Sequence, residues 1–438
     1  MNLRSAQALG LLLLCGGASA TSLLPVADYT FNNSLSSTAV GAPDLTFIGS
    51  NHLYQNDSVY GAAQTVLTFA AGTGVQLVPT TQILSDPGTY TIIITVRHNN
   101  PGGGFSKYID VANGSVDYGL YDRNEVLGYY TVAAGAYQLI AYDYEDIAIS
   151  RDATGRLKGY LNGMPQFSGD DSATRYGVIT AANTLRFFVD DSVQGTEQSD
   201  GAVARLRIWN AALSDQEVAT ESGYVTPTLV ADYEGSLTSS VGPVPDLAAV
   251  GTIGTASEQA YYYLPAQNVL TFLAGNGLAL NPVSALLPSG GRYTIALRAR
   301  ITNTSTDHFS KLIDLSNGSA DVGLYVDTNF LDFYSYPFAS GVTVGSGYGD
   351  IVLSRDRSGA VFGYYNGVPQ FQTTDLPNQW AAVSAADTLR FFLDDSVGGG
   401  NEASPGAVAS IRIWSDFMSP AEVQQLTDAV FHDGFEGP

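Results

Sequence analysis

Cysteine is nearly absent from this sequence. Its 438 residues include one cysteine, Cys15, within a first segment that has the layout of a secretory signal. That segment combines Arg4, the apolar run 9–14 and the small residues 18–20. We therefore predict a signal peptide at residues 1–20 and a secreted mature chain without disulfides, although its compartment would permit them.

Basic residues are also scarce. The chain has 19 lysines and arginines against 42 aspartates and glutamates, a formal net charge of −23. This charge repels phosphate backbones and anionic lipid surfaces, so we expect no nucleic-acid partner. After the first segment no apolar run approaches the roughly 18 to 20 residues that a spanning helix requires, so we expect no membrane span.

The sequence lacks the motifs of the common hydrolases. None of its glutamates has an aspartate two positions later, which excludes the strand of paired carboxylates about 5 Å apart that retaining glycosidases use. There is no G-x-S-x-G elbow and no H-E-x-x-H helix. The histidines, at positions 52, 98, 308 and 432, share no position in the repeat described next. We expect no catalytic residue.

An internal duplication is the strongest signal that is present. FSKYIDVANGSVDYGLY from Phe105 recurs as FSKLIDLSNGSADVGLY from Phe309, and LRFFVDDSV from Leu185 recurs as LRFFLDDSV from Leu389, both at an offset of 204 residues. Units of this length are large enough to bury a core each, so they are predicted to be domains. The predicted boundaries are a first domain at residues 23–220, a linker at 221–228, a second domain at 229–428 and a short tail at 429–438.

Local patterns predict an all-β fold. Residues 90–96 are β-branched or aromatic, and residues 204–209 alternate charged with apolar side chains, as a strand with one wet face does. Asn-Gly turns such as the one at Asn162 separate many short strands, which is typical of a sandwich or jelly roll. Ser214 and Glu217 form a capping box that predicts one short helix after the last strand, and the second copy repeats it.

The order of these motifs resembles a known family. A-D-Y, D-x-G-L-Y, Y-x-N-G, F-F-x-D-D and G-A-V-x-x-x-R-I-W follow one another in both copies. This succession resembles the bacterial laminin G-like domains of the concanavalin A-like superfamily. The resemblance implies two tandem antiparallel β-sandwich (jelly-roll) domains, each with one short C-terminal helix. It also implies frequent calcium binding at a sheet rim and roles in glycan or protein binding.

The loop after each F-F motif is the candidate metal site. Paired aspartates and a later glutamate place several hard oxygens on one loop, and calcium takes six to eight oxygens at about 2.3–2.6 Å. The alternative is that these aspartates only hydrogen-bond their own turns. The candidate ligands are Asp190, Asp191 and Glu197 in the first copy and Asp394, Asp395 and Glu402 in the second.

The same loop is similar to the calcium loop of pentraxins. That likeness implies that an Asp and an Asn from a distant loop complete the site, and the nearest matches are Asp122 with Asn124 and Asp327 with Asn329. For the aspartates before the G-L-Y and N-G-S turns we favour structural roles over metal binding. Those residues are Asp110, Asp117, Asp314 and Asp321.

Tyrosine is abundant, with 26 residues. Clusters at 129–130, at 261–263 and at Tyr334 with Tyr336 could stack on a sugar ring, although tyrosine also suits an ordinary half-buried strand.

These observations predict a secreted bacterial protein that binds and does not catalyse. We expect calcium-dependent recognition of an extracellular glycan or a surface protein, with two linked sites raising apparent affinity by about 10² to 10⁴. Two alternatives stay open: a polysaccharide-degrading enzyme of the same fold, and a structural component of the envelope or matrix.

Overall fold

A computed structural model describes residues 23–99, 104–139, 141–180, 182–192, 197–262, 264–287, 291–302, 309–334, 341–375, 381–383, 387–397 and 402–432. The predicted signal peptide and residues 433–438 of the predicted tail lie outside them. Within the described residues the chain forms four antiparallel sheets and two α-helices. The predicted all-β sandwich fold is confirmed. Neither helix has the length and apolar character that crossing a bilayer requires.

The first half of the chain contributes two sheets and one α-helix. One sheet has the order β13-β12-β11-β6-β15-β4-β3, with β1 also paired to β15, and the other has the order β10-β9-β8-β7-β14-β5-β2. The elements are β1 (Ala27–Tyr29), β2 (Thr46–Ile48), β3 (Leu53–Val59), β4 (Ala62–Phe69), β5 (Gly74–Leu77), β6 (Tyr90–His98), β7 (Phe105–Asp110), β8 (Gly119–Arg123), β9 (Val126–Tyr129), β10 (Ala133–Gln138), β11 (Tyr144–Arg151), β12 (Arg156–Leu161), β13 (Met164–Asp170), β14 (Leu185–Phe187), β15 (Gly201–Trp209) and α1 (Asp215–Glu221).

The second half repeats this arrangement. One sheet has the order β18-β19-β29-β21-β25-β26-β27, with β16 paired to β29, and the other has the order β17-β20-β28-β22-β23-β24. The elements are β16 (Leu229–Glu234), β17 (Ala248–Val250), β18 (Ile253–Glu258), β19 (Gln267–Phe272), β20 (Gly277–Leu280), β21 (Tyr293–Ile301), β22 (Phe309–Asp314), β23 (Gly323–Asp327), β24 (Phe330–Tyr334), β25 (Gly349–Arg355), β26 (Ala360–Tyr365), β27 (Val368–Thr374), β28 (Leu389–Phe391), β29 (Gly406–Trp414) and α2 (Pro420–His432).

Corresponding strands of the two halves pair in the same register. Lys107 of β7 lies opposite Tyr121 of β8, and Lys311 of β22 lies opposite Tyr325 of β23. The duplicated sequence therefore places the same residues side by side twice. The predicted domain boundaries stay a prediction, and α2 continues to His432, four residues into the segment predicted as a tail.

The core of each half lies between its two sheets. On β6, Ile92 and Ile94 point into this core, whereas Ile93 points to the outer face and packs under Trp209 and Val218. A central strand with both faces covered explains the unbroken apolar run at residues 92–94.

The capping box begins α1 as predicted. The Ser214 side chain accepts a hydrogen bond from the Glu217 N–H, and the Glu217 carboxylate accepts one from the Ser214 N–H at 2.8 Å. Ser419 and Glu422 make the same exchange at the start of α2. These bonds satisfy backbone donors that have no partner inside the helix.

An arginine of the second half inserts into the first. The Arg357 guanidinium donates to Asp146 at 2.5 Å and lies 3.9 Å from the ring centroid of Tyr60. Asn162 of the first half donates to Asp356 at 3.2 Å. Asp146, Asn162 and Asp356 are buried, so the two halves share a polar interface and not only a linker.

Apolar side chains also cross between the halves. Met164 belongs to a buried cluster formed mainly by the second half, and the Tyr137 ring packs edge-on against Phe362 with centroids 5.8 Å apart. The Tyr224 hydroxyl hydrogen-bonds Glu422. The apolar contacts come from β10 and β13 of the first half and from β26 of the second half.

Candidate functional site

The acidic loop of the first half covers a lysine on the outer face of a sheet. Tyr108 and Leu120 point into the core, so their neighbours Lys107 and Tyr121 point away from it. The Lys107 ammonium lies 4.9 Å from the Tyr121 ring centroid, and its side chain is fully buried beneath the loop that follows β14.

The lysine is surrounded by aspartates. Its Nζ contacts an Asp191 carboxylate oxygen and lies 3.6 Å from Asp190, 3.5 Å from Asp110 and 3.7 Å from Asp117. The Asp191 and Asp110 side chains have no solvent exposure. One ammonium therefore balances only part of the negative charge that the loop and the sheet bring together.

The two adjacent aspartates have different roles. Asp190 accepts from the Asp191 N–H and from the Glu197 N–H, both at 2.8 Å, which is the turn-forming role that the sequence left open as an alternative. Asp191 instead points at Lys107. Asp394 in the second half accepts the equivalent two bonds, at 2.8 and 3.0 Å.

The loop glutamate carries the unbalanced charge. Burial and, to a smaller extent, the carboxylates of Asp117 and Asp190 raise the pKa of Glu197 to about 7. One of its oxygens is buried without a hydrogen-bond partner among the described residues. The pKa of Glu402 is raised to about 7 by burial and by the matching aspartates. Each cluster thus favours a proton or a further cation.

In the second half three carboxylates come close enough to hold one ion. Oxygens of Asp321, Asp395 and Glu402 all lie within 4.8 Å of one another. Lys311 contacts Asp395 and lies 3.9 Å from Asp321. This donor set suits a hard cation such as calcium, with ligands still required from loop carbonyls, water or a bound molecule. The structure brings Asp321 into the group, although the sequence favoured a structural role for it.

The distant ligand pair expected in the first half lies elsewhere. Asp122 follows Tyr121 on β8 and therefore points to the inner face, where its carboxylate lies 3.6 Å from the His98 ring nitrogen and accepts from the Glu125 N–H at 2.7 Å. Asn124 accepts from the Gly104 N–H at 2.9 Å. Neither side chain is brought together with the acidic loop.

The pair expected in the second half is not equivalent to the first. Asp327 lies opposite Phe309, whereas Asp122 lies opposite Ser106. The two aspartates therefore occupy strand positions that differ by one residue. Asp327 accepts from the Thr328 hydroxyl at 3.1 Å, and the Asn329 carbonyl accepts from Val344. The Asp327 contact is local, whereas the Asn329 carbonyl contacts a separate segment of the chain.

Sequence reasoning missed the two lysines. Lys107 and Lys311 occupy the same place in both F-S-K segments, inside strands whose other residues are largely buried. A charged residue at a fully buried position requires a buried partner of opposite charge. A lysine inside a predicted strand was therefore the sign in the sequence that carboxylates lie next to it.

Aromatic rings lie beside both clusters. Each carboxylate cluster, with the rings next to it, is called a candidate face, the first around Lys107 and the second around Lys311. Phe309, Tyr325 and Tyr334 form a triangle with centroids 5.9 to 6.0 Å apart. In the first half Tyr121 lies 6.4 Å from Phe105 and 6.2 Å from Tyr130.

The predicted tyrosine clusters divide between surface and core. Tyr130 and Tyr334 lie at the candidate faces, with Tyr334 38% exposed. Tyr129 is buried in the core, and Tyr261 is buried beside Arg298, whose guanidinium is 5.1 Å from its ring. Tyr263 and Tyr336 lie outside the described residues.

The first cluster lies in a recognisable family segment. Residues 69–219 match the family described as laminin G, concanavalin A-like lectin/glucanases superfamily. The matched segment includes β6 to β15, and so contains Lys107 and the acidic loop. No curated protein sequence matches the chain.

Comparison with solved structures finds matches of low similarity. Domain 4 of AbnA, a GH43 extracellular arabinanase from Geobacillus stearothermophilus in complex with arabinotriose, is 18% identical with a TM-score of 0.36, over 46% of this chain and 99% of that one. The binding domain of botulinum neurotoxin DC, in complex with rat synaptotagmin II, is 11% identical with a TM-score of 0.36, over 92% and 97%. The CBM40 of Ruminococcus gnavus IT-sialidase, bound to alpha2,3 sialyllactose, is 17% identical with a TM-score of 0.28, over 36% and 96%. Likeness at this level assigns no ligand.

Proposed function

We propose that the protein is a secreted, non-catalytic binding protein that recognises an extracellular glycan or surface protein through the outer faces described above. One observation carries this proposal: in each half, aromatic rings lie beside a carboxylate cluster with more negative charge than its lysine balances. Rings stack on the apolar faces of sugars, and a bound cation can bridge carboxylates to sugar hydroxyls.

Calcium is the proposed cation. In the second half it would be held by Asp321, Asp395 and Glu402, whose oxygens are already grouped. At the matching positions of the first half it would be held by Asp117, Asp191 and Glu197. The bound ion would supply positive charge that keeps the loop ordered and the glutamate ionised.

Calorimetry tests the calcium proposal. The mature wild type should release or absorb heat on calcium addition and melt at a higher temperature, because a ligand that binds only the folded state stabilises it. A Glu197→Gln, Glu402→Gln double variant should lose both effects. Glu234→Gln, which changes an exposed carboxylate outside the clusters, should keep them. A wild type that shows neither effect in millimolar calcium contradicts calcium binding.

A glycan array tests recognition. We expect the wild type to bind a subset of polysaccharides and to lose that binding in a chelator. Incubation with the bound polysaccharides should release no new reducing ends, since the function proposed is binding. Release that is abolished by one carboxylate substitution would instead support a degrading enzyme of this fold. Binding to no glycan and no surface protein would support a structural component.

A further inference from the structure

Arg123, an arginine on the first candidate face, has no carboxylate partner among the residues that the structure describes. Arg123 follows Tyr121 by two positions on β8, so it shares the face of Lys107 and lies about 7 Å farther along the strand. Its guanidinium lies 5.8 Å from the Phe105 ring centroid. Its Nε is buried without a hydrogen-bond partner, and no described carboxylate forms an ion pair with it.

This arrangement is unusual in so acidic a chain. Carboxylates outnumber basic residues by 42 to 19, and many of the partly buried arginines pair with one. Arg205 pairs with Asp28 at 2.9 Å, and Arg355 pairs with Asp375 at 2.8 Å. A buried Nε–H without a partner costs free energy, and an anion bound beside Arg123 would satisfy it.

The neighbouring strand leaves room for this side chain. A Cβ at Gly128 would lie 2.5 Å from the Arg123 Cδ, so glycine allows the arginine to extend across β9. Gly128 lies opposite Tyr121, and Asp332 lies opposite Tyr325 in the second half. Asp327 takes the place of Arg123 there. The second face is thus acidic where the first is basic.

We infer that Arg123 binds an anionic group of the ligand, so that the first face takes an acidic glycan whose sugars carry carboxylates or sulfates. This inference rests on the proposed function. The planar guanidinium offers paired donors that match a carboxylate or a sulfate, and the Phe105 ring supports it from one side. The second face, with Asp327 and Asp332 at the matching positions, does not share this preference.

Three polymers test the inference on the full mature chain in calcium. Hyaluronan carries carboxylates, dextran sulfate carries sulfates and dextran carries neither. The first two polymers therefore distinguish a carboxylate from a sulfate as the anionic group that Arg123 binds. We expect the wild type to bind at least one charged polymer and to bind dextran more weakly. Arg123→Ala should weaken the charged interaction at least about tenfold, and Arg123→Lys less, because lysine keeps the charge but loses the planar fork.

The matched control is Arg156→Ala, which removes the same charge from an exposed position on β12 of the other sheet. It should bind like the wild type, and all variants should keep the wild-type circular dichroism spectrum and melting temperature. Unchanged affinity in Arg123→Ala, or equal loss in Arg156→Ala, overturns the inference. Binding to dextran alone overturns it while leaving the proposed function standing, whereas binding to neither these polymers nor a glycan array overturns both.

Discussion

At the scale of single residues, the buried lysine organises the candidate site. Lys107 meets its aspartates on the outer face of a sheet, where a loop excludes water. Attraction between charges is strong where solvent is excluded, and each partner depends on the other because a lone buried charge is costly. The lysine therefore makes the acidic loop compatible with folding.

Removing this lysine should be strongly destabilising. Lys107→Met leaves buried carboxylates without their ammonium, and we expect a loss of about 3 to 5 kcal/mol in the free energy of unfolding, measured by urea denaturation. Lys158→Met removes an exposed pair with Asp215 and should cost about 1 kcal/mol or less. Similar losses in the two variants would contradict the role of Lys107.

Asp143 should make stability depend on pH. Burial and, to a smaller extent, the nearby Asp356 carboxylate raise its pKa to about 7. The folded state then holds its proton more tightly than the unfolded state, so this residue reduces stability as pH rises from about 4 to about 7. Asp143→Asn should raise the melting temperature at pH 8 and change it little at pH 4. Asp170→Asn, at an exposed carboxylate, should show no such gain at pH 8. A gain of equal size at both pH values would refute this assignment.

At the scale of elements, local patterns predicted the presence of a helix or strand better than they predicted where it ends. The capping boxes located both helices, because the required Ser and Glu are three residues apart. α2 continues to His432, within the segment predicted as a tail, because nothing in the sequence near residue 428 marks the end of a helix. Alternation identified strands, but it could not tell which distant strand each would pair with.

The cap of α1 gives an element-scale prediction. Ser214→Ala removes the acceptor for the Glu217 N–H and should cost about 1 kcal/mol of unfolding free energy. Gln216→Ala, at an exposed position of the same helix, should change stability by no more than about 0.5 kcal/mol. Chemical denaturation of both variants measures the difference, and equal effects would argue against the cap.

At the scale of the whole molecule, the copies differ where they meet. Arg357 takes the place of Ala153, and Phe362 takes the place of Lys158. Lys158 forms an exposed pair with Asp215, whereas Phe362 is buried against Tyr137. The second copy is apolar at this position because the first copy covers it.

The interface should couple the unfolding of the two halves. We expect the wild type to unfold in a single calorimetric transition. Arg357→Ala leaves Asp146 without its ion pair, so in this variant the transition should broaden or split in two. Arg175→Ala, at an exposed arginine, should leave the transition unchanged. An unaltered single transition in Arg357→Ala would show that this contact does not couple the halves.

The sequence by itself determined the duplication, the β-sandwich fold, the capped helices and the acidic loops, because each is encoded in residues close together along the chain or in a direct repeat. Only the tertiary structure decided that Lys107 lies among the aspartates, that Asp321 joins Asp395 and that Asp122 points inward. Lys107 and Asp191 are 84 residues apart, and strands adjacent in a sheet are seldom adjacent in sequence. Which charges meet therefore depends on sheet order and on the face that each side chain takes.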